Sequence, residues 1–231
     1  MSGDVLIGWV HPGMVHAAFM DSLLHTLDRD RVSAQPRIVG YAGVQSSANV
    51  SGGRNRLVEW FLDHTAAEWL LMVDTDMVWP DDALERLLAA ADPDTVPVVG
   101  GLCFAREAAT GTVWPTLFHL EPVDDGGAFL RHDRWPADTL MPVAGTGAAF
   151  LLLHRTPLEA VRKHGFSRWF PWFQETENDF GAVAEDLTLC LRLHAIGVPV
   201  HVHTGVEIGH VKPHTVTGAD YKAATRPRPL T

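Results

Sequence analysis

Cysteine is scarce in this chain, and long apolar runs are missing. Its 231 residues include only two cysteines, Cys103 and Cys190, both in apolar surroundings. Two thiols argue against a disulfide framework and supply too little sulfur for a thiolate metal site. No apolar run reaches the roughly 18 residues that cross a bilayer, and the amino-terminal Met-Ser-Gly-Asp lacks the basic start of a signal peptide. We therefore expect a cytoplasmic protein without a membrane span.

Basic residues are also in short supply. The chain has 18 Lys and Arg against 28 Asp and Glu, which gives a formal net charge of -10. That charge opposes non-specific binding to nucleic acid or to an anionic membrane, although a local basic patch is compatible with it. Hydrophobic residues make up 46% and charged residues 20%, which is ordinary for a globular protein. Since no Pro-, Gly- or Ser-rich linker divides the chain, we expect one domain.

The first part of the chain alternates between strand and helix patterns. The apolar run before His11 is typical of a strand, and Pro12 and Gly13 then interrupt regular structure. In open α/β sheets, ligands bind at the loops that follow the carboxyl ends of strands, so this loop is a candidate ligand contact. The predicted elements are a strand at 4–10, a helix at 14–28, a strand at 36–41, a loop at 46–53 and a helix at 54–62.

The remainder of the chain continues the α/β pattern, with one excursion. Residues 111–142 combine Pro, Gly and Asp with short strand-like pieces, which predicts a hairpin beside the main sheet. The other predicted elements are a strand at 69–74, a helix from Pro80 onward, a strand at 96–102, a glycine-rich turn and strand at 143–154, a helix that begins near Thr156 and Pro157, a helix at 184–196 that ends at Gly197, and strands at 198–203 and 206–211.

The most informative segment is the apolar run at 69–73, which leads into Asp74 and Asp76. On an extended backbone, carboxylates at i and i+2 point to the same side and repel each other unless a cation or a bound ligand lies between them. A hard divalent ion is the simplest way to hold them. Two acids at a strand end are also a common helix cap or solvated loop, so the pair alone is a weak indication. Its position after five apolar residues favours a ligated site, since a buried carboxylate must be paired.

Histidines are concentrated towards the carboxyl end of the chain. His210 follows a glycine in the segment 206–212. One imidazole together with carboxylate oxygens suits Mn²⁺ or a similar ion better than structural zinc. His201 and His203 are a competing pair, because on a strand they share a face and could bind zinc. A lone histidine is more often a core or surface residue, so the interpretation of His210 depends on its context.

Three further segments are candidate contacts for a substrate. Glu185 and Asp186 open a predicted helix, where a carboxylate complements the positive helix end and could also accept a proton from a hydroxyl. The aromatic run at 169–173 is typical of a core or a partner surface, but sugar rings also stack on exposed Trp faces. The Gly-Thr-Gly turn at 145–147 either lets a backbone approach a ligand or makes a tight bend, and it lacks the dinucleotide fingerprint.

Taken together, these segments resemble nucleotide-sugar-dependent glycosyltransferases of the GT-A fold. The resemblance rests on the order and spacing of the first strand, Arg54-Asn55, Asp74-Thr75-Asp76, the Gly-Thr-Gly turn, Glu185-Asp186 and Gly209-His210, and it covers residues 4–212. It implies one α/β domain at 1–212, with a Rossmann-like mixed central sheet flanked by helices and a small hairpin excursion. Residues 213–231 are expected to form a mobile tail.

The resemblance also implies a role for each candidate residue. In such enzymes the Asp-x-Asp acids hold Mn²⁺ or Mg²⁺ on the donor diphosphate, so Asp76 would be a metal ligand and Asp74 a metal ligand or ribose contact. His210 would complete the metal shell, and Asp186 would match the catalytic base of inverting members. The nucleotide pocket would include His11, Arg54, Asn55, Asp74 and Lys212, and the acceptor or sugar side would include Glu185, Trp172, Gly145, Thr146 and Gly147.

Three other functions stay open at this point. A nucleotidyltransferase shares the α/β architecture, but it usually has a basic, glycine-rich segment after its first strand, and residues 9–15 contain no Arg or Lys. A non-catalytic module could bind a sugar or nucleotide without turnover, although it would have no chemical need for all of Asp74, Asp76, Asp186 and His210. A metal-dependent hydrolase is the third. The donor, the oligomeric state, the acceptor and the choice between inverting and retaining transfer are open as well. The acceptor could be a glycan, a lipid, a protein side chain, a modified DNA base or a small molecule.

Overall fold

A computed structural model describes residues 3–107, 110–123, 126–178, 181–213 and 215 of the protein. Within these ranges the strands are β1 (Val5–His11), β2 (Ile38–Gln45), β3 (Trp69–Asp74), β4 (Met77–Val78), β5 (Val98–Arg106), β6 (Val113–Pro115), β7 (Leu117–Val123), β8 (Gly126–Arg131), β9 (Leu140–Val143), β10 (Gly145–Thr146), β11 (Phe150–His154), β12 (Thr176–Asn178), β13 (Gly181–Val183) and β14 (Val200–His210). The helices are α1 (Ala17–Val32), α2 (Val50–His64), α3 (Ala83–Ala90), α4 (Arg155–His164) and α5 (Glu185–Ala195). The predicted tail at 213–231 lies outside the described residues, except for residues 213 and 215.

A mixed central sheet forms the middle of the fold. Its strand order is β2-β1-β3-β11-β5-β14-β4, with β6 paired to β5 and β9 paired to β14. β1 runs parallel to both β2 and β3, and β5 runs parallel to β14, whereas β11 is antiparallel to β3 and β5. Helices connect the parallel strands, as the alternating sequence pattern predicts. The predicted fold class, an α/β fold with helices around a mixed sheet, is confirmed.

The segment between β5 and β11 contains the excursion from the main sheet. β7 and β8 pair as an antiparallel hairpin, and the short strand β10 joins β7 to make a three-stranded sheet. A second small hairpin, β12 with β13, precedes α5. Gly145 of β10 lies so close to α5 that a Cβ there would be 2.7 Å from Leu187. The excursion therefore brings the glycine-rich turn against the start of α5.

The hydrophobic core has one layer on each face of the sheet, because successive strand residues point to opposite faces. On β1, Leu6 belongs to the layer that contains Leu57 of α2, and Ile7 belongs to the layer that contains Phe19 of α1. α2, α4 and α5 cover the first face, and α1 and α3 cover the second. Full burial of such a side chain stabilises a fold by about 1.5–3 kcal/mol. The two layers thus hold the strand ends in fixed positions.

α2 begins at Val50 rather than at the predicted Arg54. Asn49 caps the helix, since its side-chain oxygen accepts a hydrogen bond from the N–H of Gly52 (2.6 Å). The prediction was wrong because paired glycines are typical of loops. Here Gly53 is required by close packing, because a Cβ at this position would lie 2.5 Å from Cγ1 of Val10.

Two other helices also begin at residues that differ from the predicted ones. α3 begins at Ala83 and not at Pro80, because the carbonyl oxygen of Pro80 accepts the N–H of Ala83 (3.0 Å) in a turn that precedes the helix. α4 begins at Arg155, and its cap is His154 rather than Thr156. The Nδ1 atom of His154 accepts the N–H of Thr156 (3.4 Å). A histidine therefore performs the capping that the sequence pattern assigned to the threonine.

The two strands predicted near the carboxyl end form one long strand. β14 pairs with β5 in parallel, and the register of this pairing shifts between His203 and Glu207. Such a bulge increases the local twist, and β14 continues to β4, where His210 is opposite Met77. The late part of the chain therefore returns to the segment that follows β3. Among the described residues, no helix is both long and apolar enough to pass through a bilayer.

Candidate functional site

A cleft lies at the carboxyl edge of β1, β2 and β3. The three strands are parallel, so their last residues, His11, Gln45 and Asp74, reach the same edge of the sheet. The strand-end cleft, as we term it, has a volume of about 960 Å³, which suits a small-molecule ligand. Its lining residues are Val10, His11, Pro12, Met14, Val15, His16, Ser46, Ser47, Val50, Asp74, Thr75, Asp76, Val211, Lys212 and Pro213.

Asp74 and Asp76 both line the strand-end cleft, but they have different partners, Arg54 for Asp74 and His210 with Lys212 for Asp76. β3 ends at Asp74, and residues 75–76 form a tight turn instead of continuing the strand. The two-residue alternation of side chains holds only for extended backbone. The N–H of His16 donates to the carbonyl oxygen of Thr75 (3.0 Å), which fixes the turn against the loop after β1.

Asp76 lies between an imidazole and an ammonium group. Its Oδ2 atom is 2.9 Å from Nε2 of His210 and 2.9 Å from Nζ of Lys212. The pairing of β14 with β4 brings these side chains together. Burial raises the pKa of Asp76, but the hydrogen bonds and charges of His210 and Lys212 outweigh this effect and lower the pKa to about 2. Asp76 is therefore ionised at neutral pH.

The ring of His210 is oriented by the backbone of β5. Its Nδ1 atom is 2.9 Å from the carbonyl oxygen of Phe104. A carbonyl oxygen only accepts hydrogen bonds, so Nδ1 carries a proton. The Nε2 atom then faces the carboxylate of Asp76, 2.9 Å from Oδ2. Histidines that bind metals have this arrangement, in which the second ring nitrogen donates to a carbonyl or carboxylate. The pair has the chemistry to hold a cation.

Arg54 is buried between acidic residues from two parts of the chain. It is 4% exposed, and its Nη2 group donates to both carboxylate oxygens of Asp74 (2.7 and 3.0 Å). Its Nη1 group donates to Oε1 of Glu185 (2.6 Å). Burial lowers the pKa of Arg54, but the charges of Asp74, Asp186 and Glu185 outweigh this effect and raise it. The carboxylate of Asp74 is thus engaged by Arg54.

Asp186 lies in the first turn of α5 and faces the glycine-rich turn. A Cβ on Gly147 would be 3.5 Å from Oδ2 of Asp186 and 3.5 Å from Oγ1 of Thr116, so a larger residue would narrow the space beside the carboxylate. Burial raises the pKa of Asp186, Arg54 lowers it, and the charge of Glu185 raises it again, with a raised pKa as the net result. A carboxylate with a raised pKa is a stronger proton acceptor.

The predicted nucleotide contacts divide into two groups. His11, Asp74 and Lys212 line the strand-end cleft, whereas Arg54 and Asn55 are not among its lining residues. Arg54 affects the strand-end cleft indirectly, because it fixes the carboxylate of Asp74, which lines the cleft. The amide of Asn55 has a different set of partners, all of them in the protein backbone.

Asn55 and Trp172 occupy positions that the sequence did not indicate. The side chain of Asn55 donates to the carbonyl oxygen of Phe173 (2.6 Å) and accepts the N–H of Trp172 (3.1 Å). Trp172 is 2% exposed, and its Nε1 group donates to the carbonyl oxygen of Leu158 (2.8 Å). The ring of Trp172 is therefore not open to a stacked sugar. The exposed tryptophan of this aromatic run is Trp169, at 76%.

All three residues of the Gly-Thr-Gly turn are buried. Gly145 packs against Leu187, as described above. Thr146 is 1% exposed, and its hydroxyl has no hydrogen-bond partner within the described ranges. Of the three residues, Gly147 is the one that faces the carboxylate of Asp186, and the other two shape the backbone behind it.

The site has more negative than positive charge. The four carboxylates of Asp74, Asp76, Glu185 and Asp186 outnumber their positively charged partners Arg54, Lys212 and, when protonated, His210, so negative charges are left without a full counter-charge. A divalent cation would neutralise them. Asp76 and His210 supply two ligands for such an ion, but no three His, Cys, Asp or Glu side chains in the described part of the chain are grouped closely enough to hold a metal by themselves. Phosphate oxygens and water usually fill the remaining positions of Mg²⁺.

The sequence did not single out three of the residues at the site. Ser46 and Ser47 line the strand-end cleft directly after β2. The rule that ligands bind beyond the carboxyl ends of parallel strands would have found them. Thr116 lies beside Gly147, opposite the carboxylate of Asp186, but it belongs to the excursion. No sequence signal marks it.

Comparison with known proteins gives matches in structure. No family model and no curated protein matches the chain. A197 from STIV is 17% identical over 91% of this chain and 86% of its own, with a TM-score of 0.59. GalNAc-T7, solved with UDP, GalNAc and Mn²⁺, is 10% identical over 91% of this chain and 44% of its own, with a TM-score of 0.55. The inositol-1-phosphate CTP transferase from T. maritima is 12% identical over 96% of this chain and 94% of its own, with a TM-score of 0.50.

These similarities define the class of fold to which the chain belongs. The α/β architecture with a mixed central sheet is shared with a protein that was solved with UDP, GalNAc and Mn²⁺ and with a CTP transferase. At identities of 17% or less, the similarity concerns architecture and not activity. The function must therefore be argued from the site.

Proposed function

We propose that the protein is a metal-dependent glycosyltransferase that moves a sugar from a nucleoside-diphosphate sugar to an acceptor hydroxyl. The observation that carries the proposal is the meeting of Asp76 and His210, which are 134 residues apart in the chain and 2.9 Å apart beside the strand-end cleft. Their segments are the ones that resemble the Asp-x-Asp and terminal histidine motifs of the GT-A fold. The architecture shared with GalNAc-T7, solved with UDP, GalNAc and Mn²⁺, supports the same proposal.

On the donor side, Asp76 and His210 would hold Mn²⁺ or Mg²⁺. When bound, such an ion compensates the charge that develops on the departing nucleoside diphosphate. Lys212 lines the same cleft, and its ammonium, which donates one hydrogen bond to Asp76 (2.9 Å), has two further donors for a phosphate. Asp74 also lines the cleft, and a carboxylate there suits ribose hydroxyls because it accepts several hydrogen bonds. His11, the last residue of β1, would add a further contact.

On the acceptor side, Asp186 would act as the base of an inverting transfer. The acceptor oxygen forms a bond to the sugar carbon while its proton passes to the carboxylate, and the bond from that carbon to the diphosphate oxygen breaks. The raised pKa of Asp186 favours proton acceptance, and Gly147 leaves room beside it. Glu185 is the weaker candidate because it is paired with Arg54 at 2.6 Å.

A nucleotidyltransferase is the alternative with the same architecture, and the charge of the cleft speaks against it. A nucleoside triphosphate carries more negative charge than a nucleoside-diphosphate sugar, so its transfer calls for more cations around the phosphates. Lys212 is the only Lys or Arg among the described residues that line the strand-end cleft, and it already contacts Asp76. One divalent ion and one ammonium suit a diphosphate better.

The proposal is tested by the release of nucleoside diphosphate from a panel of UDP-, GDP- and TDP-sugars in the presence of Mn²⁺. Slow hydrolysis of the donor needs no acceptor, so the donor can be identified first. We expect one class of donor to be hydrolysed with Mn²⁺ and not with EDTA. Binding of a donor without any release would indicate a non-catalytic module and would contradict the proposal.

A pair of variants tests the assignment of the base. Asp186→Asn should lower the rate of release by about 10²–10⁴-fold, the usual contribution of a general base, and should leave Mn²⁺-dependent nucleotide binding intact. Asp28→Asn is the matched control, because Asp28 is 71% exposed on α1, and this variant should behave as the wild type. If Asp186→Asn abolished nucleotide binding or left the rate unchanged, Asp186 would not be the base.

A further inference from the structure

A second cleft shares a wall with the strand-end cleft. Asn49 and Gly52 line the second cleft, whereas Ser47 and Val50 line the strand-end cleft. The amino-terminal turn of α2 therefore lies between the two. The second cleft has a volume of about 830 Å³, which is again the size of a small-molecule site.

Positive charge is concentrated in this second cleft, which we term the arginine cleft. Its charged lining residues are Arg56, Glu59, Arg162 and Arg168. Three cations against one carboxylate reverse the sign of a chain whose net charge is -10. Part of this charge has a structural role, because Arg162 pairs with Asp63 (2.7 Å) and lies in the last turn of α4, where a cation complements the helix end.

The other two arginines are not neutralised in this way. Arg56 donates to the carbonyl oxygen of Gln45 (3.1 Å), and the guanidinium of Arg168 lies over the ring of Trp169, 5.3 Å from its centroid. Neither arginine has a carboxylate partner within the described part of the chain. A guanidinium is always charged and matches the geometry of a phosphate. Both groups are therefore available to an anionic ligand.

A fixed aromatic surface adjoins these charges. Trp169 is 76% exposed and lines the arginine cleft. The segment that carries it is held in place, because the N–H of Phe170 donates to Oγ of Ser167 (3.2 Å) and Nε1 of Trp172 donates to the carbonyl oxygen of Leu158 (2.8 Å). An exposed ring on a fixed segment offers a stacking surface at a small cost in ordering.

We propose that the arginine cleft binds the phosphate-bearing part of the acceptor, with its phosphate at the arginines and a flat ring stacked on Trp169. Bases stacked on aromatic side chains next to cations are a general mode of binding for nucleotide units. The ligand is thus a nucleotide unit, either free or in a short single strand, since the net charge of the chain opposes long polyanions. The role of this ligand as acceptor rests on the proposed function, whereas its binding does not.

The experiment measures the binding of two probes to the full chain. A fluorescent strand of six thymidine nucleotides is titrated at low and at physiological salt, and unlabelled dTMP is tested as a competitor. Trp169→Ala should weaken binding of the strand roughly tenfold, the usual effect of removing one stacked base contact. The double variant Arg56→Gln and Arg168→Gln should weaken binding of the strand. The slope of the logarithm of the binding constant against the logarithm of the salt concentration should fall by the equivalent of about two phosphate contacts.

Two exposed residues outside the arginine cleft provide the matched controls. Arg31 is 77% exposed on α1, and Tyr41 is 62% exposed on β2. Arg31→Gln and Tyr41→Ala should bind both probes as the wild type does. If dTMP displaces the strand and its own binding is weakened by Trp169→Ala to the same extent, the ligand is a free nucleotide. If the strand binds more tightly than dTMP does, the ligand is a short strand.

Failure of this proposal is distinguishable from failure of the proposed function. Asp76→Asn should leave binding of the strand unchanged, because it alters only the strand-end cleft. Retained strand binding without any Mn²⁺-dependent binding of nucleoside diphosphates would overturn the proposed function alone. The present proposal is overturned if neither probe binds the folded wild type at low salt, or if the variants at Trp169, Arg56 and Arg168 bind as tightly as the controls.

Discussion

Arg54 joins two parts of the site that are far apart in the sequence. Its guanidinium binds Asp74 at the end of β3 and Glu185 at the start of α5. Arg54 is 4% exposed and the side chain of Glu185 is 17% exposed, so water is a poor substitute for this ion pair, whereas the side chain of Asp74, at 33%, also faces the strand-end cleft. A single residue therefore sets the position of an acid in the strand-end cleft and of the acidic turn that carries Asp186.

Loss of this cation should be costly. We predict that Arg54→Met lowers the free energy of unfolding by about 3–5 kcal/mol, because it leaves the largely buried carboxylates of Glu185 and Asp186 without their shared counter-charge. Arg29→Met is the matched control, since Arg29 is 43% exposed and pairs with Glu85 at 2.8 Å, and its loss should cost less than about 1 kcal/mol. Urea denaturation measures both values. Similar losses in the two variants would contradict the central position of Arg54.

His154 makes the stability of the protein depend on pH. Its ring packs against Trp69, with the centroids 4.7 Å apart, and caps α4 through Nδ1. Burial lowers the pKa of His154 below its ordinary value, so the unfolded chain binds the proton at a higher pH than the folded protein does. The contribution to stability is therefore complete above the ordinary pKa of histidine and is lost as the pH falls below it.

We predict that the free energy of unfolding falls between about pH 7 and about pH 5, and that His154→Asn reduces this fall. Asparagine keeps a capping oxygen for α4 and removes the titrating ring. Urea denaturation at a series of pH values measures the effect. If the variant kept the full pH dependence, the effect would have to come from other histidines whose pKa values burial also lowers, namely His132, His201 and His203.

Single residues of the site could be selected from the sequence, but their pairing could not. The motifs pointed to Asp76 and His210, and the structure brings the two together; their role as metal ligands stays a prediction. Asp74 and Asp76 have different partners because a tight turn lies between them and because a buried arginine 20 residues earlier binds Asp74. Neither feature leaves a local pattern in the sequence. The burial of Trp172 depends on Asn55 in the same way.

At the scale of elements, α2 reaches the site because it can lie very close to β1. Gly53 forms the contact, since a Cβ there would be 2.5 Å from Cγ1 of Val10 and 2.9 Å from Cβ of Ser46. Both neighbours line the strand-end cleft. The close approach of helix and strand therefore sets the shape of that cleft.

This contact predicts an unusual effect of alanine in a helix. Gly53→Ala should destabilise the protein by about 1–3 kcal/mol, because β1 or the following loop must move, even though alanine favours a helix over glycine by about 1 kcal/mol. Ser51→Ala, two residues earlier in α2, should be neutral or slightly stabilising. Thermal unfolding measures both variants. Equal stability of the two would show that α2 and β1 tolerate a larger separation.

The sequence predicted the elements better than their ends. α5 was predicted at 184–196 and is found at Glu185–Ala195, because its apolar periodicity and the stop at Gly197 are local features. α2 and α4 begin where Asn49 and His154 accept a backbone N–H, which depends on side-chain geometry and not on periodicity. The continuity of β14 depends on a bulge for which a sequence pattern gives no evidence.

At the scale of the whole molecule, the strand order explains why residues from the beginning, middle and end of the chain meet. β1 and β3 are parallel neighbours, which places the loop after β1 beside the turn after β3. β14 lies two strands beyond β11 and extends to β4, which returns His210 to that turn. The class of fold could be predicted from alternation, but the strand order could not, because pairing between distant strands leaves no periodic signal.

The proposed function requires that Asp76 and His210 hold a divalent ion that binds a nucleoside diphosphate. The most direct measurement is the melting temperature with Mn²⁺, with UDP, GDP or TDP, and with the ion and a nucleotide together. Since a ligand that binds only the native state stabilises it, the ion and one nucleotide together should raise the melting temperature by more than their separate effects combined. Asp76→Asn should lose the Mn²⁺-dependent part of the shift, and Asp186→Asn should keep it. No shift with any of the three nucleotides in the presence of Mn²⁺, or an unchanged shift in Asp76→Asn, would contradict the claim.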